Sequence, residues 1–281
     1  MHKNIQLIAL DLDGTLYNGQ SQISERNKEA IRSAIASGVT VIISTGRPYV
    51  GLPLQDMEEL GIRYAITANG AAVYRIPEKE LLFDDCMTPS VSIPLLHELY
   101  QLTLHLDAFI NGDGYTQNST SELISKLNVP DSLRKYIATS RKNIPSLPDY
   151  IMEHNLPVAK MTINFIPDGN GGFIDRDKAE AILKAHTELS YVSGGFSNLE
   201  CTKAGISKSK GLSFLCDYLN IPCSATMACG DSENDLDIIN AAAVGVAMSN
   251  AQQMILDAAD FISKSNEEDG VAYAIETLLG L

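Results

Sequence analysis

Residues that could do chemistry are gathered in four short segments of the chain. In order they are Asp11-Leu12-Asp13-Gly14-Thr15, Ser44-Thr45-Gly46-Arg47, Lys210-Gly211 and Gly230-Asp231-Ser232-Glu233-Asn234-Asp235. Each segment alone says little, since an acidic pair or a Thr-Gly dipeptide is usually a solvated loop or a turn. Together they offer carboxylates, hydroxyls and a lysine. That combination predicts phosphoryl transfer, in which a carboxylate attacks phosphorus and forms an aspartyl-phosphate intermediate.

The acidic residues can divide the work of such a reaction between them. Asp11 and Asp231 can supply the one or two carboxylates by which Mg²⁺ is typically held. Asp13 can protonate the leaving oxygen and later deprotonate the attacking water, which leaves only its backbone carbonyl for the metal. A threonine hydroxyl, backbone N–H groups and a lysine can hold the phosphate oxygens as negative charge develops.

Strand-like runs precede three of the four segments. Residues 5–10, 39–43 and 225–229 are mostly apolar or β-branched, and they end directly before Asp11, Ser44 and Gly230. Helical spacing of apolar residues follows Ser24, a candidate N-cap, and recurs over 207–219 and 236–243. Alternating strands and helices predict an α/β fold, an open parallel sheet with helices on both faces. Such sheets bind ligands at the carboxyl ends of their strands, where these segments fall.

The middle of the chain reads differently. Residues 84–194 carry most of the prolines, strand and helix patterns in mixed order, and two glycine-rich clusters, 111–114 and 168–172. Neither cluster has the G-x-G-x-x-G form, so we interpret both as turns and not as nucleotide-binding loops. The pattern predicts an α+β unit inserted into the α/β sheet. We therefore expect a catalytic core over 1–83 and 195–281, with the insert over 84–194.

Composition and charge exclude several classes of partner. Lysine and arginine number 21 against 35 acidic residues, which gives a formal net charge of −14. That balance argues against nucleic-acid binding and against docking on an anionic membrane. The five cysteines form no C-x-x-C pair, which indicates reduced thiols, and no apolar stretch approaches the ~18 residues of a membrane span. We expect a soluble, cytoplasmic protein; its oligomeric state is not indicated.

The motifs resemble those of the haloacid dehalogenase superfamily of phosphohydrolases, specifically its Cof-type branch. D-x-D-G-T, S-T-G-R, K-G and G-D-x-x-N-D occur here in the order that the family has them. The resemblance extends to Asn69-Gly70-Ala71, Val246-Ala247-Met248-Ser249-Asn250-Ala251 and Asp269-Gly270-Val271. It covers both flanks of the chain, and the middle matches in size and position. It implies a Rossmann-like core with an inserted cap domain that determines substrate specificity.

Carried onto this sequence, the resemblance implies a role for each site residue. Asp11 is the expected nucleophile and Asp13 the general acid and base. Phosphate is expected to contact Thr45, the N–H groups of Gly46 and Leu12, Lys210 and Asn234. Mg²⁺ is expected to be held by Asp11, the Asp13 carbonyl and Asp231, with Ser232 or Asp235 as lesser contributors. Lys210 is preferred over Lys203 and Lys208 because it alone precedes glycine. Arg47 is expected either to reach the substrate or to form a structural ion pair.

The leading hypothesis is therefore a Mg²⁺-dependent phosphatase that acts on a small phosphorylated metabolite. Two alternatives stay open. One is a phosphotransferase or phosphomutase on the same scaffold, because nothing in the motifs separates water from a sugar hydroxyl as acceptor. The other is a receiver-type switch, which the length of the chain and the presence of Asp13 disfavour. Sugar phosphates, phosphorylated cofactors and nucleotides all remain candidate substrates.

Overall fold

The apolar run before Asp11 is a central strand of a largely parallel sheet. The computed structural model describes residues 4–193 and 197–281. It divides into two compact units. The first comprises Met1–Gly46, Leu52–Phe83 and Ser207–Leu281, and the second comprises Arg47–Gly51 and Asp84–Ile206.

Fourteen strands and eleven α-helices make up the described chain. The strands are β1 (Leu7–Leu10), β2 (Thr40–Ser44), β3 (Tyr64–Thr67), β4 (Ala72–Arg75), β5 (Glu80–Asp84), β6 (Leu104–Ile110), β7 (Asp113–Gln117), β8 (Arg141–Ile144), β9 (Lys160–Phe165), β10 (Leu189–Val192), β11 (Asn198–Lys203), β12 (Thr226–Gly230), β13 (Val244–Ala247) and β14 (Phe261–Ile262). The helices are α1 (Glu25–Ala36), α2 (Leu54–Leu60), α3 (Pro89–Leu99), α4 (Asn118–Ser121), α5 (Asp131–Ser140), α6 (Leu147–His154), α7 (Arg176–Ala185), α8 (Lys208–Leu219), α9 (Leu236–Ala241), α10 (Gln253–Ala258) and α11 (Gly270–Leu279).

The first unit is built on an eight-stranded sheet in the order β14-β13-β12-β1-β2-β3-β4-β5. Strands from β14 to β3 are parallel, and β4 returns antiparallel to β3. All four residues of β1 are buried, as expected for a parallel strand covered on both faces. Leu7 and Ala9 pack with Leu212 of α8 and Ile238 of α9, while successive side chains of a strand point to opposite faces. The predicted α/β fold is confirmed.

The strand register brings three of the four predicted segments to one edge of this sheet. Leu10, the last residue of β1, pairs with Cys229 of β12 on one side and with Ile43 of β2 on the other. Asp11, Thr45 and Asp231 therefore directly follow the last residues of three neighbouring strands, β1, β2 and β12. Ser24 caps α1 as predicted, since its side chain accepts the N–H of Asn27 at 3.1 Å.

The second unit has a six-stranded sheet in the order β10-β11-β9-β6-β7-β8, which is antiparallel except between β7 and β8. One face of this sheet packs in an apolar cluster with residues of α3, α6 and α7. The alternate positions of the same strands carry polar side chains that are also buried: His105, Asp107, Thr162, Asn164 and Glu200. The Asn111-Gly112 pair is the turn between β6 and β7, and both residues have positive φ.

The structure places the end of the insert later than the sequence predicted. The expected boundary at 194/195 falls at residues 194–196, which lie outside the described residues. The chain joins the first unit only at Ser207. The reason is β11, which pairs antiparallel with β9 and β10 and so completes the second sheet. Residues 197–206, predicted as part of the core, therefore belong to the second unit.

A short stretch near the N-terminal end of the chain also belongs to the second unit. Arg47–Gly51 is grouped there, away from the 1–83 range predicted for the core. The N–H of Val50 donates to the carbonyl of Gly112 at 2.9 Å. Across residues 4–193 and 197–281, the helices fall short of the length and apolar character needed to cross a membrane.

Candidate active site

Asp11 begins a tight loop in which one aspartate is buried and the other is exposed. Its N–H donates to the carbonyl of Cys229 at 3.1 Å, and its own carbonyl accepts the N–H of Leu16 at 3.2 Å. The N–H of Tyr17 donates to the carbonyl of Leu12 at 2.8 Å. Leu12 and Leu16 anchor the loop, since neither is exposed, and Asp11 is also buried. Asp13 lies between these anchors with an exposed side chain, which suits a group that must exchange protons with solvent.

The lysine that contacts Asp11 is Lys208. Its Nζ donates to Oδ1 of Asp11 and to Oδ1 of Asp235, both at 2.6 Å, and its side chain is fully buried. The sequence predicted Lys210, which precedes a glycine, but the lysine in contact with Asp11 is Lys208. Lys208 and Lys210 both belong to the first turn of α8, and residues two apart do not share a face of a helix. Lys210 is half-buried.

Two glycines let the start of α8 approach the sheet closely enough to bury Lys208. Gly70 has φ +98°, and a Cβ there would lie 1.9 Å from the carbonyl oxygen of Ser207. A Cβ on Gly211 would lie 2.6 Å from Cγ2 of Ile66 in β3. Gly211 is therefore required for close packing of α8 against β3. Its position after Lys210 does not indicate which lysine contacts Asp11.

Asp231 lies directly against the loop that carries Asp13. Its Oδ1 accepts the hydroxyl of Thr15 at 3.0 Å, and its Oδ2 accepts the hydroxyl of Ser232 at 2.9 Å. Gly14 has φ +82°, and a Cβ there would lie 2.5 Å from Oδ2 of Asp231. Only glycine both adopts this backbone conformation easily and leaves room for the carboxylate.

Asp235 orders the loop that carries Asp231. Its Oδ2 accepts the N–H groups of Asp231 and Ser232, both at 3.1 Å, and its Oδ1 accepts Lys208. The side chain is 1% exposed. Because both carboxylate oxygens already accept hydrogen bonds from the protein, Asp235 acts here as an organiser of its neighbours.

The three carboxylates of Asp11, Asp231 and Asp235 form one electrostatic unit. One oxygen or more from each lies within 4.8 Å of the others. Burial raises the pKa of Asp11 well above its usual value, with Asp235 and Asp231 adding to the effect and Lys208 opposing it. Burial, followed by the charge of Asp235, raises the pKa of Asp231 to about 7. Burial acts to lower the pKa of Lys208, but Asp11 and Asp235 outweigh it and raise that pKa.

This arrangement fits a divalent cation. Three carboxylates against one ammonium leave an excess of negative charge in a buried place. The donors are hard oxygen atoms, which suit Mg²⁺ better than softer metals. A cation bound between Asp11 and Asp231 would supply the positive charge that the raised pKa values show to be missing.

The predicted phosphate-binding residues of β2 and of the last segment are joined through Asn69. The N–H of Thr45 donates to the carbonyl of Ile66 at 2.9 Å, and the N–H of Asn69 donates to the carbonyl of Thr45 at 3.2 Å. Nδ2 of Asn234 donates to Oδ1 of Asn69 at 3.1 Å. Asn69 is buried with φ 58°. Sequence reasoning treated Asn69 as part of a turn and missed its side chain; the Asn-Gly pair, typical of positive φ, was the available signal.

Arg47 makes contacts of another kind. Its guanidinium lies over the ring of Tyr136, 4.6 Å from the ring centroid, and its Nη1 donates to the carbonyl of Gly51 at 3.2 Å. Gly46, the preceding residue, is half-buried in the first unit. The stacking on Tyr136 is an interaction that the sequence analysis did not foresee, since it weighed only substrate contact and an ion pair.

Comparisons with known proteins show the family to which the chain belongs. Residues 8–275 match the model of a family of haloacid dehalogenase-like hydrolases. The chain is 32% identical to phosphatase YwpJ of Bacillus subtilis over 98% of this chain and 100% of that protein. It is 30% identical to the 5-amino-6-(5-phospho-D-ribitylamino)uracil phosphatase YcsE of the same organism, over 97% of this chain and 95% of the relative.

A solved structure gives the same result for the fold. A haloacid dehalogenase-like hydrolase from B. subtilis superposes with a TM-score of 0.84 at 31% identity, covering 98% of this chain and 100% of that one. Family model, relatives and structure therefore agree along nearly the whole chain. The resemblance read from the motifs is confirmed: this chain belongs to the haloacid dehalogenase-like hydrolases, and its relatives YwpJ and YcsE are phosphatases.

Proposed function

We propose that this protein is a Mg²⁺-dependent phosphatase that hydrolyses small phosphate monoesters through an aspartyl-phosphate on Asp11. The observation that carries the proposal is the buried cluster in which Lys208 contacts both Asp11 and Asp235, with Asp231 beside them. Buried charges of this kind are costly, and they are typically retained where chemistry requires them.

In the first step, a carboxylate oxygen of Asp11 attacks phosphorus. The bond from phosphorus to the leaving oxygen breaks, and Asp13 gives its proton to that oxygen, so that the product alcohol leaves neutral. Lys208 holds Oδ1 of Asp11 at 2.6 Å, which orients the nucleophile and favours its ionised form against the effect of burial. The hydroxyl of Thr45, the N–H groups of Leu12 and Gly46, and the amide of Asn234 are proposed to hold the phosphate oxygens.

In the second step, Asp13 takes a proton from water as the water oxygen attacks phosphorus. The bond between phosphorus and Asp11 breaks, inorganic phosphate leaves, and the Asp11 carboxylate is regenerated. Asp13 ends the cycle protonated, ready for the next leaving group. The exposure of Asp13 and the burial of Asp11 suit these different tasks.

The metal would be held by the carboxylates of Asp11 and Asp231 and by the backbone carbonyl of Asp13, with Ser232 or Asp235 as lesser contributors. When bound, Mg²⁺ would neutralise the repulsion between the Asp11 carboxylate and the phosphate. The fit rests on the excess of negative charge around Lys208.

The substrate class is proposed to be small phosphorylated metabolites. YcsE is a phosphatase of a phosphorylated ribitylaminouracil, and it is related to this chain over nearly its full length. That compound is a phosphate monoester of the proposed class, so it belongs in the first panel of substrates, together with sugar phosphates and phosphorylated cofactors.

Substitution of Asp11 by Asn tests the mechanism. Asn is isosteric but cannot form the acyl phosphate, so release of inorganic phosphate from 4-nitrophenyl phosphate with Mg²⁺ should fall by about 10³-fold or more. Asp237→Asn, an exposed acidic residue of α9, is the matched control and should leave turnover unchanged. Full activity of Asp11→Asn would overturn the proposal.

Trapping the intermediate separates the alternatives. After an acid quench, mass spectrometry should find one phosphoryl group on the peptide that contains Asp11, and Asp13→Asn should make this species accumulate. A phosphoenzyme that lasts for hours in the unsubstituted protein would instead indicate a receiver-type switch. Phosphate recovered on an added sugar, and not in solution, would indicate a phosphotransferase.

A further inference from the structure

The loop that carries Asp13 is held from outside by a residue of the loop after β13. Nδ2 of Asn250 donates to the carbonyl of Gly14 at 2.9 Å, although the two residues are 236 positions apart. Oδ1 of Asn250 accepts the backbone N–H of Asn266 at 3.0 Å. The donor and the acceptor of the Asn250 side-chain amide therefore both form hydrogen bonds, which fixes the orientation of the amide.

Asn266 holds the same loop at a second point. Its Nδ2 donates to the carbonyl of Tyr17 at 2.8 Å. Tyr17 forms an isolated bridge with Asp13 itself. Two side-chain amides from distant parts of the sequence thus fix the backbone next to Asp13 and the backbone that pairs with it.

The segment that follows Asn250 also contacts the loop of Asp231. The N–H of Gln252 donates to the carbonyl of Asp231 at 2.9 Å. On the other side, Gly14 lies against the Asp231 carboxylate with no room for a Cβ. Residues 250–252 therefore connect the loop of Asp13 to the loop of Asp231.

We propose that Asn250, braced by Asn266, is a positioning residue that places the Asp13 carboxyl for proton transfer. This inference rests on the proposed function, in which Asp13 protonates the leaving oxygen. The Asp13 side chain is exposed, and the backbone of its loop sets the point from which the carboxyl extends. A displacement of about 1 Å is enough to lose much of a general acid's contribution.

The prediction concerns the leaving group and not simply the rate. An acidic leaving phenol departs without help, whereas a weakly acidic one needs a proton from the enzyme in the same step. Asn250→Ala should therefore lower kcat/KM for 4-methoxyphenyl phosphate by about 30-fold but that for 4-nitrophenyl phosphate by only about 3-fold. These two esters are similar in size, and kcat/KM covers the steps up to departure of the phenol.

Asn266→Ala should change the ratio of the two kcat/KM values in the same direction by a smaller factor. It removes the hydrogen bond to Tyr17 but keeps the backbone N–H of residue 266, which Asn250 accepts. Asn240→Ala is the matched control. Asn240 is also exposed and donates to a backbone carbonyl, that of Leu236 at 2.9 Å, but within its own helix. For Asn240→Ala, the ratio of the two kcat/KM values should equal that of the unsubstituted protein.

The outcomes separate this inference from the proposed function. If the unsubstituted protein hydrolyses neither ester, both fail. If it hydrolyses both and Asn250→Ala loses them in equal proportion, or loses neither, the proposed function stands and the positioning role is overturned. Thermal unfolding of each variant shows what fraction is folded, and the ratio of the two kcat/KM values does not depend on that fraction.

Discussion

The ammonium nitrogen of Lys208 lies 2.6 Å from Oδ1 of Asp11, although the two residues are 197 positions apart in the chain. The same nitrogen lies 2.6 Å from Oδ1 of Asp235. One fully buried cation therefore links the carboxyl ends of β1 and β12 and contacts the carboxylate that we propose as the nucleophile. A lysine placed this way acts on both the stability and the chemistry of the site.

Lys208→Met should lower phosphatase activity by about 10³-fold, because the nucleophile loses its orienting cation and the phosphate loses a nearby positive charge. It should also lower the free energy of unfolding by about 3 kcal/mol, since buried carboxylates are left without their partner. Lys210→Met, two positions along the same helix, should change activity by less than about 3-fold. Phosphate release and urea unfolding of both variants check this.

The reverse result would be decisive. An inactive Lys210→Met beside an active Lys208→Met would restore the choice made from the sequence and would mean that the observed contacts of Lys208 are only structural.

Gly70→Ala should destabilise the protein more than Gly61→Ala. Both glycines have positive φ, which costs alanine about 1 kcal/mol. Space around Gly61 is open to 4 Å, whereas a Cβ on Gly70 would meet the Ser207 carbonyl at 1.9 Å. Overpacking adds about 1–3 kcal/mol, so urea unfolding should give about 1 kcal/mol for Gly61→Ala and about 2–4 kcal/mol for Gly70→Ala. Equal losses would show that α8 moves aside without cost.

The strands and the acidic segments of the first unit could be predicted because their signal is local. The strand-like runs over 5–10, 39–43 and 225–229 correspond to β1, β2 and β12. The choice between Lys208 and Lys210 is different in kind. It depends on how far α8 is rotated and pressed against β3, which Gly70 and Gly211 decide through contacts with residues remote in sequence.

β11 was missed for a similar reason. Its alternation is regular, with Leu199 and Cys201 in the apolar cluster and Glu200 between them. Glu200 is nevertheless buried, because Nζ of Lys160 lies 2.5 Å from its Oε1. A strand whose polar residues are buried by ion pairing looks like an exposed segment in the sequence, so the end of the insert was placed too early.

His105 should make the protein sensitive to acid. Burial lowers its pKa from 6.5, with the charge of Arg141 acting in the same direction and that of Asp107 opposing it. Its ring nitrogens lie 3.0 Å from Nδ2 of Asn164 and 3.2 Å from Oγ1 of Thr116. Below pH 6.5 the unfolded chain binds a proton that the folded protein does not, so stability falls as the pH falls.

Urea unfolding at about pH 7.5 and about pH 5.5 measures this effect. The loss of stability between the two should be smaller in His105→Gln than in the unsubstituted protein. His97→Gln, at an exposed position of α3, should show the unsubstituted loss. If His105→Gln loses as much as the others, the ring is not the source of the sensitivity.

Asp231→Asn should stabilise the metal-free protein while abolishing its use of metal. The pKa of Asp231 is raised to about 7, chiefly by burial, so at about pH 8 the folded protein carries a charge that it disfavours. A group whose pKa is raised on folding stabilises the folded protein at pH values below its pKa in the unfolded chain. That stabilisation is lost as the pH rises through the folded pKa of about 7. In EDTA at about pH 8, Asp231→Asn should therefore have the higher Tm.

Addition of Mg²⁺ should then reverse the order. The unsubstituted protein should gain stability in proportion to RT ln(1 + [Mg²⁺]/Kd), whereas Asp231→Asn lacks a ligand and should gain little. Asp237→Asn, outside the carboxylate cluster, should respond as the unsubstituted protein does. A Tm that rises equally with Mg²⁺ in all three would place the metal away from Asp231, because a lost ligand must weaken binding at the site to which it belongs.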